Sequence, residues 1–176
     1  PQDVELFLDN TKDEKVLYGV QEKYEKYYFS MWNINKPRDT LESVKWPFNT
    51  YTIGKSYGKN LQLLKKDFFD EMLKKANFKN YSKLNLQALT LRETNIRAFP
   101  TNKPVLMDPN KAGEGFPFDY MQNSTVHANK PVLLSHYSED KEWAYIFTSF
   151  TSGWIKTSEL VIIDKHYTDI WQKAKQ

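Results

Sequence analysis

Cysteine is absent from all 176 residues. The chain therefore holds no disulfide framework, no thiolate zinc site and no cysteine nucleophile. Redox compartment stays open, because a cysteine-free chain folds on either side of a membrane. Long apolar runs are missing too: no stretch approaches the roughly 20 residues that crossing a bilayer demands, so no membrane span is expected. Histidine is scarce at three. His127 and His166 are far apart, with no i,i+4 pair and no carboxylate at ligand spacing, which argues against a metal centre. Nothing in the chain calls for a cofactor. A strong excess of one charge is also lacking. The formal net charge is +3, and Lys is interspersed with Asp and Glu, the pattern of a solvated mixed surface rather than a basic stripe. The first residue is Pro1 and no apolar leader precedes it, so the expectation is a removed targeting segment or a start inside a longer protein.

What the chain has in quantity is aromatic rings, with 11 Phe, 11 Tyr and 5 Trp. Each large ring buries much area, so a core forms without many aliphatic residues. The first half reads helical. From Thr11 to Trp32, the positions Leu17, Val20, Tyr24, Tyr27, Tyr28 and Met31 recur at three- and four-residue steps, with Thr11 or Asp13 as caps. Before them Val4, Leu6 and Leu8 alternate, as in a short extended arm. A short helix is predicted over Thr40–Lys45, ending at Trp46-Pro47 because the residue before proline leaves the α region. A longer one is predicted over Asn60–Ala76 on the stripe Leu61, Leu64, Phe68 and Met72.

Near Leu84 the character changes to short β-branched and aromatic runs bounded by Pro, Gly and Asn. Strands are predicted at Leu89–Ala98, Pro131–His136, Glu142–Thr148, Gly153–Lys156 and Leu160–Ile163, with a long loop from Phe99 to Asn129. A last helix is predicted over Tyr167–Lys175. The fold class is α+β: an N-terminal helical segment followed by a small SH3-like β-barrel. The expected division is residues 1–83 helical, 84–164 barrel, and 165–176 a helix leading into a following domain.

An ordered set of motifs runs through the chain. Upstream stand WPF at Trp46 and YGKN from Tyr57 to Asn60. RAFPT follows from Arg97 to Thr101, then GEGFPFDYMQNS from Gly113 to Ser124. NKPVLLSHYSED spans Asn129 to Asp140, followed by Trp143 and SGWI from Ser152 to Ile155. Taken together they resemble the N-terminal region of NlpC-type, papain-like cell-wall cysteine peptidases, in which a stabilising or clip segment precedes a first bacterial SH3 domain. The resemblance covers about Tyr28 to Trp171. It implies a parent enzyme that cleaves peptidoglycan stem peptides at the γ-D-glutamyl to diamino-acid bond, with its Cys and His in a catalytic domain outside this chain. It also implies that the first SH3 domain borders the active site, and that the protein is exported to the periplasm or cell envelope. The implied partners are stem peptides and the catalytic domain of the same enzyme. This chain would contribute recognition and scaffolding, with no turnover of its own.

Six residues are candidates for touching a stem peptide. Glu114 and Asp119 lie in the long loop, where a carboxylate suits an ammonium group. The competing role is to hold the loop through backbone N–H groups; this is favoured for Asp119, and the two stand level for Glu114. Tyr120 either lies on the ligand or fills the groove beneath the loop with Phe116 and Phe118. Arg97 either clamps a carboxylate bidentately or, as favoured, pairs with Asp119 or Glu93. His136 is a strand-end residue with a possible place along the groove. Trp143 and Trp154 are expected in the core, with one of them offering a face to ligand, and Gly153 before Trp154 allows close backbone approach. A Ser135–His136–Asp140 triad is rejected, since neighbours on a strand point to opposite faces. The rival function is an SH3-like adaptor that binds protein or nucleic acid; a salt-dependent gel shift would favour it.

Overall fold

Among the described side chains, the apolar stripe of the first helix meets the body of the protein at its last turn. The computed structural model describes residues 14–174, with side chains from Gly19 onward. The arm at Val4, Leu6 and Leu8 and the caps Thr11 and Asp13 lie outside the described residues. Helix α1 spans Glu14–Tyr28, and residues 20–27 are all exposed. Val20, Tyr24 and Tyr27 have the predicted spacing but face solvent. Burial begins at Phe29 and continues through a 3-10 turn at Ser30–Trp32. There the Trp32 indole N–H donates to the Ala88 carbonyl at 2.9 Å, which fixes the helix end to the sheet.

Two short helices follow. In α2, Leu41–Val44, the Thr40 hydroxyl accepts the Ser43 N–H at 3.1 Å, a standard N-terminal cap. Helix α2 falls within the predicted Thr40–Lys45 and stops before Trp46; the cause expected for that stop is corrected, since Pro47 lies in the first turn of a new helix, α3, Trp46–Thr50. Proline is tolerated there because its missing N–H has no intrahelical partner in any case. Helix α4 spans Lys66–Ala76, six residues later than predicted. The segment before it is held by β-bridges from Tyr57 to Leu63 and Leu106, and Leu61 adopts a left-handed φ of 59°. Asn77, also left-handed, ends α4. Helix α5, Lys165–Lys173, is capped by Asp164, whose carboxylate accepts the Tyr167 N–H at 2.8 Å.

Among the described residues, seven strands form one antiparallel sheet in the order β3-β2-β6-β5-β4-β1-β7. They are β1 Leu86–Thr90, β2 Thr94–Arg97, β3 Gln122–Val126, β4 Pro131–Tyr137, β5 Trp143–Phe147, β6 Ser152–Lys156 and β7 Leu160–Ile162. The single strand predicted over Leu89–Ala98 is two strands, because the chain turns at Leu91-Arg92-Glu93. β3 falls inside the predicted loop. Its sequence, QNSTV, is polar and largely exposed, so it lacks the apolar alternation that marks a strand. The expected barrel is also adjusted. No hydrogen-bonded pairing joins β3 to β7, and the two remain as edges of an open sheet. β7 is only three residues long and pairs with β1 alone.

Strand periodicity divides the core into two faces. Leu133, Tyr145 and Phe147 join Trp143 and Trp154 in one cluster, while Leu134, Ala144 and Ile146 join Ile96, Val132 and Ile155 in another. The first cluster also takes in Met31, Val44, Ala76 and Phe78 from the helical half. Helices and sheet therefore share one packed interior, and β4 and β5 are buried almost without interruption.

Candidate binding groove

The loop between β2 and β3 is pinned before it is shaped. Phe99, Val105 and Met121 are fully buried, and the backbone N–H of Tyr120 donates to the Val105 carbonyl at 2.9 Å. Asp119 ties these points together. One carboxylate oxygen accepts the N–H groups of Met121 at 2.9 Å and Val105 at 3.2 Å; the other takes the Arg97 guanidinium at 2.7 Å. Arg97 is itself buried, and it also donates to the carbonyls of Thr101 at 3.1 Å and Lys103 at 3.2 Å. Its fork is occupied by the protein. The geometry of Arg97 and Asp119 is that of a loop clamp.

Beyond the clamp the loop opens over a groove of about 760 Å³, lined in part by Trp46, Tyr51, Asn95, Phe118, Tyr120 and Asn123. Gly115 shapes the wall. It has a φ of +44°, and a Cβ there would sit 2.9 Å from the Cα of Pro109, so no other residue fits without moving the loop. Phe116 is 77% exposed and Phe118 51%, whereas Tyr120 is half-buried, with its ring 6.2 Å from that of Tyr51. The Tyr120 hydroxyl donates to Glu114 at 3.2 Å. Burial, followed by the Glu114 charge, pushes the Tyr120 phenol above its usual pKa, which keeps it a donor. Among the described residues no Lys or Arg forms an ion pair with Glu114. Tyr120 lines the groove beside Trp46, Tyr51 and Phe118, and its hydroxyl holds the Glu114 carboxylate next to that lining. Such a site suits a cation carrying apolar substituents.

His136 and Trp154 do not reach this surface. Both have zero exposure, so their candidacy as ligand contacts is corrected. Trp154 packs edge-on to Tyr145 with ring centres 5.0 Å apart, and His136 lies 5.2 Å from Trp154 and 5.6 Å from Tyr145. Trp143, also buried, receives the Lys156 ammonium 4.4 Å over its ring. The expectation that one Trp offers a free face therefore fails for both.

Strand alternation does not keep Ser135 and His136 apart. Ser135 and His136 do meet: the Ser135 Oγ is 3.0 Å from Nδ1 of His136. The β4–β5 register shifts between Leu134 and His136, and this bulge lets adjacent side chains converge. The His136 Nε2 faces the Ala76 carbonyl at 3.0 Å, so Nε2 carries the hydrogen and Nδ1 accepts from Ser135. The pair is sealed from solvent. The expected third member is committed elsewhere, since Asp140 accepts from the Ser138 hydroxyl at 2.6 Å and pairs with Lys75 at 2.8 Å. Burial holds His136 at a pKa of about 4. A neutral imidazole joining a strand to a helix end is a structural joint, not a nucleophile's base. Elsewhere, His127 lies exposed 3.2 Å from Glu93, and among the described residues no group of three His, Cys, Asp or Glu is placed to hold a metal ion. No helix there is long and apolar enough to cross a membrane.

Trp46 and Tyr51 were not foreseen as groove residues. The WPF motif singled out Trp46, but its signal was one of resemblance, and nothing in the local pattern places α3 beside a loop about 70 residues later.

Fold and groove together describe a helical segment packed against an antiparallel sheet that carries a ligand-sized groove. Residues 1–81 match the NLPC_P60 stabilising domain, N term, and residues 104–156 match the SH3 domain of SH3b1 type. The chain is thus similar to that stabilising domain over its first part and to an SH3b1-type domain over its second. A solved structure of an NlpC/P60 endopeptidase from Photobacterium damselae subsp. piscicida superimposes with a TM-score of 0.82 at 23% identity. The match covers 92% of this chain and 39% of that one, so the present chain spans about two fifths of its neighbour. At that identity the likeness is one of fold. No curated protein matches the chain.

Proposed function

We propose that this chain is the non-catalytic recognition and scaffolding part of a bacterial peptidoglycan endopeptidase. The observation that carries this reading is the joining of the stabilising segment and the SH3b1-type domain in a chain with no cysteine. Peptidases of this type use a thiolate nucleophile, which must come from a further domain. Residues 1–83 serve as the stabilising segment, 84–164 as the recognition domain, and 165–176 lead towards that further domain. The parent enzyme works outside the cytoplasm, in the periplasm or cell envelope, and cuts stem peptides at the γ-D-glutamyl to diamino-acid bond.

Within this reading Glu114 receives an ammonium group of the stem peptide, and Tyr120 orients the carboxylate and lays its ring along the ligand. Arg97 and Asp119 hold the loop that carries them. The pure chain is expected to leave tetrapeptide muropeptides intact over long incubation. In a 15N–1H NMR titration, a soluble stem peptide is expected to move the amides of residues 113–123, and Glu114→Gln to abolish those shifts without lowering the melting temperature. Hydrolysis by the pure chain, or shifts that survive Glu114→Gln, would refute the proposal.

A further inference from the structure

A second surface shares no lining residue with the Glu114 groove, and on it three separately anchored segments gather aromatic rings around one ammonium. Tyr27 and Tyr28 come from the end of α1, Lys130 from the β3–β4 turn, and Phe150 from the β5–β6 turn. The Lys130 Nζ lies 4.3 Å from the ring centre of Tyr28 and 5.9 Å from those of Tyr27 and Phe150. Each support is fixed. The Tyr28 hydroxyl donates to the Asn129 carbonyl at 2.7 Å, and the Lys130 N–H donates to the Thr90 hydroxyl at 2.8 Å. The Thr148 hydroxyl accepts the N–H groups of Phe150 at 3.1 Å and Thr151 at 2.9 Å. Tyr24 extends the surface by stacking on Tyr28 at 5.4 Å.

Two properties point to a ligand. Tyr24, Tyr27 and Phe150 are each about half exposed. Lys130 is partly buried, which pushes its ammonium pKa down, and among the described residues no carboxylate pairs with it. Ring faces stabilise such a cation only in part, so positive potential remains at the centre of the cluster. The surface offers flat apolar faces flanking a single charge. A saccharide strand that carries carboxylates has both complements: the C–H faces of its sugar rings pack on the aromatic faces, and a carboxylate reaches the ammonium. Nucleic acid is a poorer fit, because its affinity comes from many phosphate contacts and the cluster centres on one cation. A lipid surface favours an apolar face rimmed by cations, the reverse of this arrangement.

We propose that Tyr24, Tyr27, Phe150 and Lys130 form a platform for the carboxylate-bearing saccharide strand of the cell wall. The proposal rests on the cell-wall reading above but assigns sugar to the platform and peptide to the groove. The test uses the full 176-residue chain, 15N-labelled. It is titrated with murein glycan strands stripped of their stem peptides, which expose a carboxylate on each muramic acid, and with uncharged N-acetylglucosamine oligomers of equal length. The stripped glycan is expected to shift the amides of Tyr24, Tyr27, Lys130 and Phe150. The uncharged oligomer, and the Lys130→Gln variant with the charged one, should bind about fivefold more weakly. Tyr27→Ala with Phe150→Ala should abolish the shifts at an unchanged thermal midpoint. Amides unmoved by stripped glycan, equal affinity for charged and uncharged oligomers, or retention by anionic vesicles or oligonucleotides instead would each overturn the platform. Failure of the groove reading is seen separately, as a stem peptide that leaves residues 113–123 unmoved.

Discussion

His136 ties the stability of this protein to pH. Its unfolded pKa is near the ordinary 6.5, and burial holds the folded value at about 4. Because the folded value is depressed, the unfolded chain binds the extra proton between those limits. The stability that depends on a neutral imidazole is complete above pH 6.5 and is lost as pH falls towards 4. A gap of two and a half units corresponds to about 3 kcal/mol once both states are protonated, and about 2 kcal/mol of that disappears between pH 7 and pH 5. For a domain of this size that is a visible fraction of the total. Urea unfolding followed by Trp fluorescence at pH 7.5, 6 and 5 measures it directly. His136→Phe would cost stability at neutral pH, since Ala76 and Ser135 lose their partner, but would flatten the slope between pH 7 and 5. A wild-type profile that is flat across this range, or a slope that His136→Phe leaves intact, would refute the assignment of the buried neutral imidazole.

Other perturbations follow from packing and hydrogen bonding. Gly153→Ala sets a Cβ 2.6 Å from the Ile96 Cγ2 and 2.8 Å from the Arg97 carbonyl oxygen; a loss of about 2 kcal/mol should appear as a lower urea midpoint. Arg97→Met strips Asp119 and two carbonyls of their donor, so chemical denaturation should show a loss of about 3 kcal/mol. The double variant with Asp119→Asn should lose less than the sum of the two single changes. Trp32→Phe removes the donor to the Ala88 carbonyl, and calorimetry should record a loss of about 1–2 kcal/mol.

Much of this architecture was legible from residue pattern, and its failures have identifiable causes. The strands β4, β5 and β6 were visible because both their faces are buried, which gives runs such as PVLLSHY and WAYIF. β3 was invisible because its side chains are polar and mostly exposed, and the connection from β1 to β2 turns on Leu91-Arg92-Glu93 without a Gly or Asn to mark it. Helical spacing over Thr11–Trp32 overlaps α1, yet Val20, Tyr24 and Tyr27 on the shared face are exposed; periodicity reports which residues share a face, not what covers that face. At the site, the Arg97–Asp119 pair was among the weighed readings and is present. The Ser135–His136 contact was excluded by strand alternation, which a bulge locally suspends. Trp46 and Tyr51 reach the groove only through tertiary contact, which no local spacing encodes.

The ring cluster about His136 draws Phe78 and Tyr81 from the helical half and Tyr145 and Trp154 from the strands. Anyone transplanting the sheet alone into another scaffold would carry over a half-built floor, with Trp143 and Leu133 bared where Met31, Val44 and Ala76 had lain. Chimeras cut between Tyr81 and Leu86 should therefore express poorly unless both sides of that floor come from the same parent.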